Sequence, residues 1–264
     1  MKAKGSAYTP FCICIVTHYP SPLCLERIHQ LALAWPLYVF DNTPEPATEL
    51  KENPSVYFFH EGANKGLGHA MHVLLKAVHE QGWDWAVYFD QDTQFEGQSL
   101  LWMIDWMNQH TNSIQSGCQW NFLPSRKVVS ASDYGVNPER VLINSGSLFN
   151  LSILERLGYH NKNWFLECVD YELNLRMARS NLGMFSVVGC PGINHDIEQP
   201  AGQVYRIYPL KRSLTFVFRL SQLSCMALVH GPRVYSWIFL RNILTHCLAQ
   251  LWSLGHQFML KFRL

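Results

Sequence analysis

Four short apolar runs, separated by polar turns and segments of helical spacing, constrain this chain more than any other feature. Phe11-Cys12-Ile13-Cys14-Ile15-Val16-Thr17, Leu37-Tyr38-Val39-Phe40, Val56-Tyr57-Phe58-Phe59 and Ala86-Val87-Tyr88-Phe89 are continuous and β-prone. Runs of this kind read as strands, the first two as buried on both faces. Helical periodicity covers Leu23–Ala34, a segment opened by Asn64-Lys65-Gly66-Leu67-Gly68 and running to about Gln81, and Gln98–Gln109. Strands alternating with helices predict βαβ units and a mixed, mainly parallel α/β sheet flanked by helices. Further on, Ile143–Phe149 reads as a strand with small residues at its centre and Trp164–Ser180 as a helix. Val187-Val188 would begin a short strand ending near His195, and Ser116–Val141 lacks clear periodicity.

The fourth run ends in Asp90-Gln91-Asp92-Thr93. Residues i and i+2 of an extended segment point the same way, so Asp90 and Asp92 are expected to face one pocket with Gln91 turned aside. Open α/β sheets bind ligands beyond the carboxyl ends of their strands. Two hard carboxylates there suit Mg²⁺ or Mn²⁺, which leave their other positions to phosphate and water. Asp41-Asn42 and Asn64 end or follow two other predicted strands, so three ends would line a nucleotide site. Asp41 would accept from a base imide, Asp90 from ribose hydroxyls, and Asp92 would hold a metal on a diphosphate. Asn64 reads equally well as a helix cap, and Gly66 and Gly68 as a tight helix start. A second acidic cluster, Glu167-Cys168-Val169-Asp170-Tyr171-Glu172, puts Asp170 at a helix N-terminus, where it suits a general base. Its alternative is favourable placement against the helix dipole. Arg176 stands four residues after Glu172, the spacing of an ordinary helix ion pair. His69 and His72 are spaced for one helical face and read as packing rather than as a metal pair.

Charge divides the chain. All twenty Asp and Glu lie at or before Glu198, together with thirteen Lys and Arg, while eight Lys and Arg and no acid follow. The acidic front excludes a nucleic-acid binder. The tail, 201–264, is aromatic, Leu-rich and basic, but its longest charge-free run, Asn242–Leu260, is broken by Asn, Gln and His. It reads as amphipathic helices at a membrane interface, drawn by anionic lipid, or as a helical cap or oligomer interface. The domains expected are therefore 1–200 and 201–264. Eight scattered Cys without a C-x-x-C pair fit a reducing cytoplasm, and Met1–Pro10 carries no apolar signal core, so export is not expected.

In this order the motifs resemble the inverting family 2 glycosyltransferases of the GT-A fold, over roughly Phe11 to Asp196. The matching pieces are Val16-Thr17, Asp41-Asn42-Thr43, Asn64-Lys65-Gly66-Leu67-Gly68-His69-Ala70, Phe89-Asp90-Gln91-Asp92-Thr93, Asn144-Ser145-Gly146-Ser147, Phe165–Leu173 with Arg176, and His195. Asp-Gln-Asp-Thr and Tyr208-Pro209-Leu210-Lys211-Arg212-Ser213 are similar to the rhamnosyltransferase branch. His72, Ser213 and Cys168-Val169 depart from its pattern. The resemblance implies transfer from dTDP-β-L-rhamnose, or from a UDP- or dTDP-hexose, to a polyprenyl-diphosphate-linked glycan. It implies work on bacterial surface polysaccharide such as O-antigen, at the inner face of the plasma membrane. It would make Asp170 the base; Asp90, Asp92 and His195 the metal site; and Thr17, Asp41, Asn64, Lys65, Gly66, Asp90, Gln91, Ser145, Gly146 and Arg212 the nucleotide-sugar contacts. Glu172 and Arg176 are secondary candidates. A non-catalytic scaffold is the rival of another class; it would have lost a carboxylate, yet Asp90, Asp92 and Asp170 are all present.

Overall fold

The computed structural model describes residues 9–122, 135–195 and 209–261. They fall into two units, Met1–Asp196 and Ile197–Leu264. The expected domain break at 200/201 lies outside the described residues.

The first unit runs β1 (Cys12–Thr17), α1 (Pro22–Ala34), β2 (Leu37–Asp41), α2 (Thr48–Lys51), β3 (Val56–His60), α3 (Leu67–Glu80), β4 (Trp85–Asp90), β5 (Thr93–Gln94) and α4 (Gly97–Gln109). It continues with α5 (Thr111–Ile114), β6 (Gly117–Asn121), β7 (Gly135–Pro138), β8 (Ser147–Asn150), α6 (Leu151–Arg156), α7 (Val169–Arg179), β9 (Gly183–Val188) and β10 (Asn194–His195). Eight strands form one sheet in the order β3-β2-β1-β4-β8-β6-β9-β7, and β10 pairs with β5 in a second. The four leading strands are mutually parallel. β8 is antiparallel to both β4 and β6, β6 and β9 are parallel, and β7 is antiparallel to β9. The sheet is thus mixed and mostly parallel, as expected.

Both faces of β1 are buried, which explains its unbroken apolar run. Phe11, Ile13 and Ile15 join one cluster with Ile28 and Leu31 of α1 and Leu100, Met103 and Trp106 of α4. On α3, Ala70, Met71, Leu74, Leu75 and Val78 recur at helical spacing and are fully buried. That helix packs on β1, β2 and β4. Each such large side chain stabilises the fold by about 1.5–3 kcal/mol.

Three expectations need correction. Residues 142–146 are loop, and β8 begins only at Ser147, because the Asn144 carbonyl accepts from Ser147 N at 3.1 Å in a tight turn and Gly146 takes a φ of 72°. The helix expected from Trp164 starts at Val169, since Cys168 adopts a left-handed φ of 65°. Val187-Val188 closes β9 rather than opening a strand.

The second unit holds α8 (Leu210–His230) and α9 (Arg233–Lys261), joined at Gly231-Pro232. They pack against one another, with the hydroxyls of Ser224 and Ser236 2.7 Å apart and the ring of Phe216 tilted against that of His246 at 4.7 Å. No described helix is long and apolar enough to cross a membrane.

Candidate active site

Parallel pairing sets the carboxyl ends of β1, β2 and β4 along one sheet edge. In register, Val16 stands beside Asp90 and Thr17 beside Asp41. Asp90 is half-buried, Asp92 exposed and Thr93 fully buried. The Tyr88 hydroxyl donates to Asp90 at 2.7 Å, and the Asp90 amide donates to Ser145 Oγ at 3.0 Å. Ser145 Oγ also meets Thr93 Oγ1 at 2.6 Å, so one hydroxyl grips both ends of the acidic turn. Gln91 does turn aside: its Oε1 accepts from His18 N at 2.7 Å and its Nε2 donates to His18 O at 3.1 Å. The Arg27 guanidinium donates to the Gln91 carbonyl. Backbone pairing sets His195 opposite Thr93; its side chain lies outside what is described.

Loop 142–146 connects this turn to Asp170. Asn121 Nδ2 donates to the carbonyls of Ile143 (3.1 Å) and Ser145 (2.8 Å), and Gly146 N donates to Tyr88 O at 2.8 Å. The fully buried Asn174 accepts from Leu142 N at 2.6 Å and donates to Leu142 O at 3.1 Å and Asp170 O at 2.5 Å. His160, whose burial pushes its imidazole down to about 3, presents Nε2 to Asn144 Oδ1 at 3.3 Å.

Asp170 occupies the first turn of α7. Burial first, and the charge of Asp90 second, push its carboxyl up from 3.8 to about 7 against a hydrogen bond from the Asn144 amide. Tyr88 links the acids: burial raises its hydroxyl, and Asp90, Asp170 and Asp92 raise it further. The three predicted carboxylates therefore share one electrostatic environment. A carboxyl near 7 that still loses its proton at neutral pH can accept one from a hydroxyl.

Several predicted contacts have other partners. Asp41 is fully buried and closes its own loop, accepting from Thr43 N (3.2 Å), Thr43 Oγ1 (2.5 Å) and Ala47 N (2.9 Å). Those bonds occupy the oxygens expected to meet a nucleobase. Asn64 is not the cap of α3, a position held by Gly66; its Oδ1 accepts from Asn42 Nδ2 at 2.9 Å and Gly66 N at 3.0 Å. Lys65 pairs with Glu61 at 2.5 Å, and its hydrogen bond, with that of His69, holds Glu61 below the usual carboxylate range. Gly66, at φ +90°, lies so close to Phe165 that a Cβ would stand 2.5 Å from its carbonyl oxygen. Gly68 meets Trp164 as closely, and the amides of Leu67 and Gly68 donate to the carbonyls of Phe165 and Trp164. These glycines permit backbone docking, not a phosphate cradle. Glu172 is 4% exposed and takes a two-point bond from Arg176 at 2.8 and 2.9 Å, while Arg176 also holds the carbonyls of Leu157 and Tyr159. That pair is structural. His69 bonds Glu61 and His72 bonds the His160 carbonyl, so neither forms a metal pair. Thr17 is fully buried, and its hydroxyl has no hydrogen-bond partner among the described residues. Arg212 lies on α8, in the second unit.

Sequence reasoning gave no role to Tyr88, Asn121 and Asn174, and none of its own to Asn144 within its motif; the bonds of Asn121 to Ile143 and of Asn174 to Leu142 join residues distant in the chain. It also missed Tyr19, which holds φ 49° with its ring 68% exposed and its amide on Thr43 Oγ1 at 3.1 Å. Backbone in this region marks functional loops more often than chance.

A divalent cation suits the donor set of Asp90 and the exposed Asp92, two hard oxygens that leave room for phosphate and water. Among the described residues, no three His, Cys, Asp or Glu side chains gather as a complete cage.

No family model and no curated protein matches this chain. Its fold is similar to that of S. aureus TarS 1–349, at 12% identity and a TM-score of 0.57 over 89% of this chain and 71% of that one. The same TarS fragment in complex with UDP-GlcNAc aligns at 13% identity and a TM-score of 0.51, over 89% and 72%. GalNAc-T7 with UDP, GalNAc and Mn²⁺ aligns at 12% identity and a TM-score of 0.52, over 67% of this chain and 42% of that one. The chain thus has the mixed, mostly parallel α/β architecture of GT-A type that these proteins share.

Proposed function

We propose that this protein is an inverting glycosyltransferase that moves a sugar from a nucleoside diphosphate to an acceptor hydroxyl. The observation that carries this is Asp170, a carboxyl lifted to about 7 beside the Asp90-x-Asp92 turn. Asp170 takes the hydroxyl proton as the acceptor oxygen attacks the anomeric carbon from the face opposite the diphosphate. The acceptor–carbon bond forms as the carbon–phosphate oxygen bond breaks, and the electron pair leaves with the diphosphate. Asn144 and Asn174 hold the base, and Ser145 and Tyr88 hold the acidic turn. Asp90 and Asp92, with His195, are the residues that would hold Mg²⁺ or Mn²⁺, whose chemistry is to neutralise charge on the diphosphate.

The donor is a nucleotide sugar, supported by fold neighbours crystallised with UDP and UDP-GlcNAc. Our specific reading is dTDP-β-L-rhamnose with a polyprenyl-diphosphate-linked glycan as acceptor, in synthesis of bacterial surface polysaccharide. It rests on the Asp90-Gln91-Asp92-Thr93 pattern. A UDP-hexose is the second reading, favoured by the UDP in the neighbours. Thermal stabilisation by dTDP, UDP and GDP, each with Mn²⁺ and with EDTA, separates them, because a ligand of the folded state raises apparent stability by mass action. A Mn²⁺-dependent shift with dTDP alone supports rhamnose, and one with UDP alone supports the hexose. No shift with any of the three would overturn the transferase reading in favour of a scaffold.

A further inference from the structure

The second unit has an outer surface that its own packing leaves uncovered. Trp237, Leu240, Leu244, Leu248, Leu251 and Trp252 of α9 are each between 48% and 69% exposed. At 100° per residue they fall within about 60° of Trp237, a continuous strip about 22 Å long. Arg233 and Arg241, both exposed, share that strip. On α8, Leu214, Phe218 and Leu228 are exposed on one face beside the exposed Lys211. The opposite faces bury Leu220, Leu223 and Ala227 of α8 and Tyr235 and Phe239 of α9. The expectation of simple amphipathic helices is thereby corrected. α9 is apolar on both its inner and its outer side, a pattern that water alone does not accommodate.

We infer that the α8–α9 hairpin lies flat on an anionic phospholipid surface, with the Trp237–Trp252 strip of α9 in the acyl boundary. Charge selects this occupant. From Gln199 onward the chain has eight Lys and Arg and no acid. Two copies joined through this face would oppose like charges without a compensating carboxylate, whereas anionic headgroups complement them. Trp residues bound the strip at both ends, and Trp rings settle at headgroup level. Arg233 and Arg241 can extend their guanidinium groups to phosphates while their stems stay among the leucines. Since no described helix is long and apolar enough to span, the hairpin lies on the bilayer rather than through it.

Flotation of the full chain with vesicles tests this, using phosphatidylcholine alone and a phosphatidylcholine–phosphatidylglycerol mixture. The expected result is strong binding to the mixture and weak binding to the neutral vesicles. Trp237→Glu with Leu244→Glu abolishes flotation. Arg233→Ser with Arg241→Ser keeps the apolar strip and weakens binding roughly fivefold per arginine. Equal binding to both compositions overturns the inference, as does equal flotation of the wild type and the Trp237→Glu/Leu244→Glu variant. Absence of flotation, with self-association that the same variant removes, overturns it in favour of a second copy. Nucleotide-induced stabilisation is measured on the same samples, so a failed transferase reading leaves the vesicle result standing.

Discussion

Asp90 on β4 raises the proton affinity of Asp170 on α7, although eighty residues of chain separate them. The two acids play different parts because their settings differ. Asp90 accepts from Tyr88, while Asp170 is driven toward neutrality mainly by burial.

Transfer should therefore rise with pH through about 7. Below that value Asp170 holds a proton and cannot accept another, so kcat/KM at one pH unit below falls about tenfold from its plateau. A profile of kcat/KM between weakly acid and weakly alkaline pH checks this. A flat profile would remove Asp170 from the role of base.

Asp170→Asn should lower turnover by about 10²–10⁴-fold, the usual contribution of a positioned base. Calorimetric nucleotide affinity should stay within a few fold. Stability should move the other way. A carboxyl at about 7 when folded and 3.8 otherwise binds more protons folded between those values, so its contribution falls as pH rises through that window. Above it the ionised group costs up to roughly 4 kcal/mol, less whatever water screens. Melting at alkaline pH should accordingly show the Asn variant at least as stable as the wild type.

Arg176→Ala should cost about 3–5 kcal/mol, because it strands Glu172 as a buried, unpaired carboxylate. It also frees the carbonyls of Leu157 and Tyr159. Denaturant unfolding measures the loss. Protein that remains folded should keep its kcat, which separates this pair from the chemistry.

Much of the site was legible because its signals are local. An apolar run ending in Asp90-x-Asp92 announces a strand end, Asp170 opens a helix within a short acidic cluster, and Glu172–Arg176 is an i,i+4 pair. Asp41 and Gly66 misled for the opposite reason. The loop bonds of Asp41 to Thr43 and Ala47, and the approach of Phe165 to Gly66, exist only once the chain is folded. The antiparallel insertion of β8 between β4 and β6 has no periodic signature. Ser145 and Gly146 were singled out, but as strand residues, whereas their small size serves a loop that carries hydrogen bonds to the strand beside it.

Asn174→Ala should cost roughly 1–3 kcal/mol for unpaired groups at Leu142 and Asp170. It should lower kcat while leaving nucleotide Kd unchanged, since it loosens the base and not the acidic turn. Equal losses in both would make Asn174 merely structural.

Gly66→Ala should destabilise by at least about 1–3 kcal/mol, given the backbone conformation and the contact with Phe165. Thermal melting checks it, and Gly82→Ala, also at φ +90° but with open space around it, separates backbone strain from collision.

Many nucleotide-binding folds hand pyrophosphate to the free amides at a helix start. Here Trp164 and Phe165 have taken the Leu67 and Gly68 amides of α3. An anion reaching this sheet edge cannot use those two amides. A diphosphate there would depend on a cation held by Asp90 and Asp92, so losing Asp92 would leave little main-chain reserve at that helix to fall back on.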